Sequence, residues 1–201
     1  MRIVVLGGEG MLGHKMFQIL RNGFEGTLCT IRGAFDEPFY RRVDLFRQGG
    51  VVERVDAMDL PALRSTLREI HPDFIVNCVG IIRQRDEAKA AIPCVTVNSL
   101  LPHKLAEVAH EWGGRVIHIS TDCVFSGRRG RYTEDDPSDA EDLYGKSKYL
   151  GEVAAQNAVT LRTSIIGREL AQFRSLLEWF LAQRDKIVRG FTRVIYSGVT
   201  T

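Results

Sequence analysis

Residues 3–13 read Ile-Val-Val-Leu-Gly-Gly-Glu-Gly-Met-Leu-Gly, and a helical pattern through Met16, Phe17, Ile19 and Leu20 follows at once. From Gly7 the glycines read GxxGxxG, and from Gly8 they read GxGxxG. Either reading carries the same physics. Glycines permit a tight turn and close approach of the backbone to a pyrophosphate, whose charge meets the positive end of the helix that follows. Because the turn closes a first strand and opens a helix, Gly7, Gly10, Met11, Leu12 and Gly13 are the expected phosphate cradle of a dinucleotide. The bland alternative is a structural glycine turn.

The rest of the chain repeats that strand-then-helix unit. Short apolar runs at Thr27–Ile31, Val51–Val55, Phe74–Val79, Val116–Ser120 and Val159–Leu161 read as strands. Helical spacing appears at Leu60, Leu63, Leu67 and Ile70, with Asp59 as cap and Pro61 in the first turn. A second stripe, Leu101, Leu105, Val108, Ala109 and Trp112, is closed by Gly113-Gly114, and a third runs through Leu170, Phe173, Leu177, Phe180 and Leu181. Near-continuous apolar strands are buried on both faces, so the alternation predicts a doubly wound α/β fold with a parallel sheet. The polar stretch from Ser126 to Asp142 reads as a surface loop near the ligand.

Composition bounds the function. The chain has 201 residues, 44% hydrophobic and 26% charged, enough to bury a core and far from disordered or disulfide-stapled classes. A net charge of +2 with interspersed signs gives no case for nucleic-acid or membrane partners. The basic knot Arg128, Arg129 and Arg131 runs straight into Glu134, Asp135 and Asp136 and reads as a solvated loop. Cys29, Cys78, Cys94 and Cys123 lack metal-ligand spacing, and the five histidines are scattered, so core thiols and no metal site are expected. The apolar run before Gly7 is too short for a signal peptide, which makes the cytoplasm the expected compartment.

Two residue groups point to chemistry. At the end of the second strand, where an NAD-specific site usually carries an acid, this chain has Arg32, which suits the 2′-phosphate of NADPH. The alternative is a solvated Arg32, with Asp36 or Glu37 reaching back to hold NADH. Asp56, after the third strand, is placed to accept from the adenine amino group or else to begin the next helix. Further on, Tyr144-Gly145-Lys146-Ser147-Lys148 sets a tyrosine and a lysine on one helix face. An ammonium near a phenol lowers its pKa from about 10 toward the working pH, making it a usable proton donor. By itself such a pair also fits a solvated helix face.

Together with Asn77-Cys78-Val79-Gly80 and Ser120-Thr121-Asp122, these residues resemble an extended short-chain dehydrogenase/reductase. Ser120 to Gly127, Tyr144 to Lys148 with Gly151-Glu152, and Leu161-Arg162-Thr163-Ser164 are similar to the dTDP-4-dehydrorhamnose reductase group. The resemblance implies that Tyr144 is the general acid and that Lys148 binds the nicotinamide ribose and tunes Tyr144. Thr121 would hydrogen-bond the substrate carbonyl, and Asn98, at the head of a crossover helix, would shape the site. It further implies cofactor contacts at Cys78, Val79, Gly80 and Thr163, with a plain strand-to-helix turn as the alternative for Thr163-Ser164. For Asn98 the alternative is a helix N-cap.

Related dehydratases carry an Asp-Glu pair after the threonine, whereas here it is Asp122-Cys123, so ketone reduction is expected rather than elimination. Arg83, Gln84 and Arg85 lie where the fourth strand ends, and Arg83 and Gln84, with Thr121 and Asp122, are the expected substrate contacts; solvated loop charges are the alternative. The reading is NADPH-dependent reduction, with NADH as the other candidate cofactor, of the 4-keto group of a nucleotide-linked 6-deoxy sugar. An epimerase with tightly held NAD and a non-catalytic dinucleotide-binding subunit are the alternatives, and a homodimer is admitted. Residues 1–168 are expected to form the dinucleotide-binding domain and 169–201 the start of a substrate lobe. Only 38 residues follow Thr163, so a truncated chain that binds NADPH but turns over poorly is expected.

Overall fold

The computed structural model describes residues 1–82, 90–190, 192 and 198–201. In chain order the elements are β1 (Arg2–Leu6), α1 (Met11–Gly23), β2 (Gly26–Thr30), α2 (Pro38–Arg41), α3 (Asp44–Arg47), β3 (Val51–Val52), α4 (Leu60–Ile70) and β4 (Phe74–Asn77). There follow α5 (Ala91–Cys94), a π-helical stretch Val95–Leu100, α6 (Leu101–His110), β5 (Arg115–Thr121), a 3₁₀ turn Asp122–Val124 and α7 (Leu143–Leu150). The chain then forms β6 (Ala158–Thr163), β7 (Ile165–Ile166), α8 (Leu176–Leu181) and β8 (Val199–Thr200).

Six strands pair in the order β3-β2-β1-β4-β5-β6, every pairing parallel, and β7 pairs with β8 separately. The pleat of β1 sorts the core. Val4 and Leu6 face one layer with Leu63, Leu67, Leu101 and Leu105, while Ile3 and Val5 face the other with Phe17, Tyr40 and Phe46. Each such side chain removed from water contributes about 1.5–3 kcal/mol before conformational entropy is set against it. The strand order reverses between β1 and β4, which opens a crevice at their C-terminal ends.

The capping expected for α4 is present: Asp59 accepts from the Ala62 N–H at 3.0 Å, and Pro61 sits in the first turn. Three expectations need correction. The third strand stops at Val52, because Arg54 adopts a left-handed φ of 60°. The late helix begins only at Leu176, since Gln172 and Phe173 have φ of 69° and 49° and Ser175 caps the helix there. Residues 169–175 form a loop instead, in which the Arg174 N–H donates to Glu169 at 2.7 Å. Asn98 is neither at a helix head nor an N-cap, for the helical run starts at Ala91 and Asn98 lies inside its π stretch. Pro102, four residues on, has no N–H to offer the Asn98 carbonyl, which removes one α-helical bond at that point.

Candidate functional site

The glycine turn is built as its sequence requires. Gly7 has φ of +80°, its N–H donates to Thr30 Oγ1 at 3.1 Å, and a Cβ on Gly13 would strike the Gly7 carbonyl. Gly10 ends the turn and begins α1 with no side-chain cap hydrogen bond. A cavity of about 300 Å³ opens there, lined among others by Gly7, Glu9, Gly10, Arg32, Asp56, Cys78, Val79 and Gly80. A wider hollow of about 680 Å³ lies at the opposite end of the sheet, against Met1, Arg2 and His71, and holds none of the motif residues.

The Arg32 end of the cavity is a cluster of charges and hydrogen bonds. Arg32 turns its guanidinium to Glu9 at 3.4 Å, and its N–H also donates to Glu9 at 3.3 Å. Tyr40, buried on α2, donates its hydroxyl to Glu9 at 2.6 Å and accepts from the Gly33 N–H at 3.0 Å. Burial, reinforced by that bond to Glu9, pushes the Tyr40 hydroxyl up to about 12. Glu37 is occupied locally by the Ala34 N–H at 2.7 Å. Asp56 does not begin α4; it accepts from the Met58 N–H at 2.9 Å and leaves the cap to Asp59.

At the other end, Asn77 closes β4 and accepts from the Val79 N–H at 3.1 Å, bending the Cys78-Val79-Gly80 wall away from the sheet. Its amide also donates to His118 Nδ1 at 3.0 Å. Burial lowers His118 to about 3, so the imidazole is neutral at ordinary pH. Gly80 brings the wall against Asn98 and α7, because a Cβ there would lie 3.5 Å from Asn98 Oδ1 and 3.8 Å from Lys148 Nζ.

Helix α7, capped by Asp142 at the Gly145 N–H, carries half-buried Tyr144 and, one turn on, buried Lys148. Lys148 Nζ donates to the Ile119 carbonyl at 2.7 Å. Burial lowers its pKa to about 8, with Glu152 and Cys78 opposing. Burial likewise pushes the Cys78 thiol up to about 12 against the pull of Lys148, so it is no nucleophile at neutral pH. Asn98 braces α7 from behind: it accepts from the Ile81 N–H at 2.8 Å and donates to the Ile81 carbonyl at 3.0 Å and to Ser147 Oγ at 3.1 Å. Thr121 lies at the C-terminal end of β5, where its hydroxyl accepts from the Cys123 N–H at 3.1 Å and contacts Asp122 at 3.3 Å. Thr163 sits beside it, paired across the β5–β6 register.

The crevice thus gathers the glycine turn, Arg32, Asp56, Cys78, Val79 and Gly80, while Lys148 and Asn98 meet at Gly80 and Thr121 and Tyr144 flank them on β5 and α7. Arg83, Gln84 and Arg85 lie outside the described residues. Sequence reading missed the partners. Glu9 holds Arg32 and is itself held by Tyr40, and Glu152 takes Arg162 Nε and Nη2 at 2.9 and 2.8 Å together with Ser120 Oγ at 2.9 Å. Arg162 also stacks its guanidinium over Phe125, whose ring lies against Tyr132 at 4.3 Å. The loop that follows has a closed neck: Ser138 donates to the Val124 carbonyl at 2.6 Å, and Asp139 accepts from Ser126 and from Tyr132.

All four cysteines are thiols rather than disulfides. Among the described residues no group of three or more His, Cys, Asp or Glu side chains is placed to hold a metal, and no helix is long and apolar enough to cross a membrane.

The fold and the site define a Rossmann-type α/β protein of the extended short-chain dehydrogenase/reductase class. Residues 1–187 match the family described as RmlD substrate binding domain, and the chain belongs to that family. It is 31% identical over 153 residues to methionine adenosyltransferase 2 subunit beta of Danio rerio and 30% identical over 154 residues to dTDP-4-dehydrorhamnose reductase of Streptomyces griseus. Those matches take in 75% and 76% of this chain but 42% and 44% of the two relatives, so the chain spans less than half of their length. A crystal structure of dTDP-4-dehydrorhamnose reductase from Bacillus anthracis in complex with NADP shares the fold, with a TM-score of 0.69 and 21% identity over 92% of this chain and 61% of that one.

Proposed function

We propose that the chain forms the dinucleotide-binding part of a reductase that converts the 4-keto group of a nucleotide-linked 6-deoxy sugar to an alcohol. One observation carries the reading. Lys148 is buried against the Ile119 carbonyl at the C-terminal edge of the sheet, one turn from Tyr144 and beside Gly80 of the dinucleotide wall. The residues fit a nicotinamide dinucleotide. A Cβ on Gly8 or Gly13 would strike neighbouring atoms, α1 begins without a side-chain cap and so offers N–H groups to a diphosphate, and the cavity runs past Val79 and Gly80 to Ile81, Pro93 and Val97.

When bound, the dinucleotide supplies the hydride. The Tyr144 hydroxyl gives its proton to the carbonyl oxygen as negative charge develops there, and the Lys148 ammonium stabilises the phenolate left behind. Thr121 orients the carbonyl by hydrogen bonding, and Asp122 contacts the sugar. Asn98 fixes Ser147, and so the pitch of α7, without touching the reacting atoms. Arg83 and Gln84 belong in this reading as contacts to the sugar or its diphosphate. Residues 169–201 are read as the start of a lobe over the substrate, and Thr163 as a contact to the carboxamide end of the cofactor.

A second reading has an observation of its own. The similarity to a methionine adenosyltransferase subunit favours a dinucleotide-binding regulatory role through a partner protein. Incubating the protein with NADH or NADPH and a panel of dTDP-, UDP- and GDP-linked 4-keto sugars, with absorbance and product identity followed, tests the first. Turnover abolished by Tyr144→Phe supports the reductase; because this chain alone is expected to turn over poorly on either reading, the regulatory role is supported only by dinucleotide-dependent association with a methionine adenosyltransferase catalytic subunit.

A further inference from the structure

Arg32 taken by its position alone suits a 2′-phosphate, yet its surroundings reverse that preference. Its guanidinium and its N–H are both directed to Glu9, and the Tyr40 hydroxyl, the other donor within reach, is directed there too. The two side chains nearest a phosphate at the end of β2 thus both point to an internal carboxylate, Tyr40 with its only proton and Arg32 with one edge of its guanidinium. Tyr40 has no second proton to give, and its oxygen already accepts from the Gly33 N–H. Glu9 stands in the glycine turn itself, on the wall of the cavity that also holds Arg32 and Asp56, and its side chain remains 24% exposed.

A carboxylate has about four acceptor positions, and three donors reach this one. What it has left is acceptor capacity facing the cavity. A ribose hydroxyl is a donor and matches it. A 2′-phosphate carries only acceptors and about two negative charges, so it meets like charge and a neutralised arginine.

We propose that Glu9 is the residue that sets cofactor choice, making the site select NAD(H), whose 2′-hydroxyl it accepts, over the 2′-phosphorylated form. This rests on the dinucleotide-binding reading above. In that account the acid normally carried at the end of the second strand has moved into the turn, and Arg32 and Tyr40 serve to orient it.

The test is the ratio of dissociation constants for NADH and NADPH, measured by calorimetry on the protein and on Glu9→Gln, Glu9→Ala and Glu9→Gln/Arg32→Ala. The unaltered protein should favour NADH by about tenfold or more, and Glu9→Gln should shift the ratio toward NADPH by about tenfold, mostly through tighter NADPH binding. Removing Arg32 in that background should abolish the gain, because Arg32 is what captures the phosphate. Glu9→Ala should act in the same direction, which guards against a misfolded amide variant. Both dinucleotides binding with a ratio that neither Glu9 substitution moves, or a native preference for NADPH, overturns the proposal while leaving the dinucleotide reading intact. Failure of every form to bind either dinucleotide overturns both.

Discussion

The two ends of the crevice are built differently. At the Arg32 end, the Glu9–Arg32 pair is held at 3.4 Å with 24% and 60% of the two side chains exposed, and every partner is a side chain or a loop N–H. At the α7 end, Lys148 is 4% exposed and Asn98 fully buried, and the partners are the Ile119 and Ile81 backbone and the buried Ser147 hydroxyl. Water competes for the first arrangement and is excluded from the second. A site that must place a proton to within a fraction of an ångström needs the second kind. A site that only weighs one ligand against another works with the first, where one substitution changes the answer without disturbing the sheet.

The largest expected break in that contrast is Tyr144→Phe. Turnover on a 4-keto sugar nucleotide should fall by roughly 10²–10⁴-fold, the usual range for loss of a general acid, while dinucleotide affinity stays within about twofold. Steady-state kinetics beside calorimetry read both. A comparable loss of binding would show that the two ends are not separable.

Next comes the support behind α7. Arg162→Ala leaves the Glu152 carboxylate, 13% exposed, without its bidentate partner. The cost should be about 2–4 kcal/mol, read as a drop in Tm of roughly 5–12 °C. Asn98→Ala removes three buried hydrogen bonds, two of them to the Ile81 N–H and carbonyl, for about 2–3 kcal/mol by denaturant titration. Arg32→Ala, at the exposed end, should change stability by no more than about 0.5 kcal/mol.

Lys148 sharpens the contrast through pH. Because the fold lowers its pKa to about 8, below the ordinary 10.5, the fold penalises the ammonium. That cost is fully present below pH 8 and is relieved as pH rises from 8 toward 10.5, a gain of at most about 3 kcal/mol. Turnover should move the opposite way and decline above pH 8, as the charge that steadies the Tyr144 phenolate is lost. Unfolding midpoints of the native protein and Lys148→Met across this window, beside a pH–rate profile, check both signs.

The elements that sequence made legible are those with a period or a cap. Short apolar runs placed five strands closely, Asp59 and Pro61 placed α4, and the glycine spacing placed the turn. What it could not show are relations between distant residues. The pairing of Arg162 with Glu152 spans ten positions and joins β6 to the connection after α7, and that of Glu9 with Arg32 and Tyr40 spans 23 and 31. Periodicity carries no signal for either. Leu170 and Phe173 kept a helical spacing while local hydrogen bonds made a loop, and Asn98 matched a cap by type while the helix had already begun at Ala91.

The closed neck of the loop after Phe125 has a consequence for how such a protein diversifies. Ser138 on the Val124 carbonyl, and Asp139 on Ser126 and Tyr132, fasten the two strands of the neck before the tip begins. The tip, with Gly127 and Gly130 in open space, is spliced in beyond that fastening. Lengthening a flexible tip costs only about 0.6 kcal/mol per doubling. Thr121 and Tyr144, which lie on either side of the neck in sequence, are insulated from such changes, so the tip can change length and composition while their placement is kept.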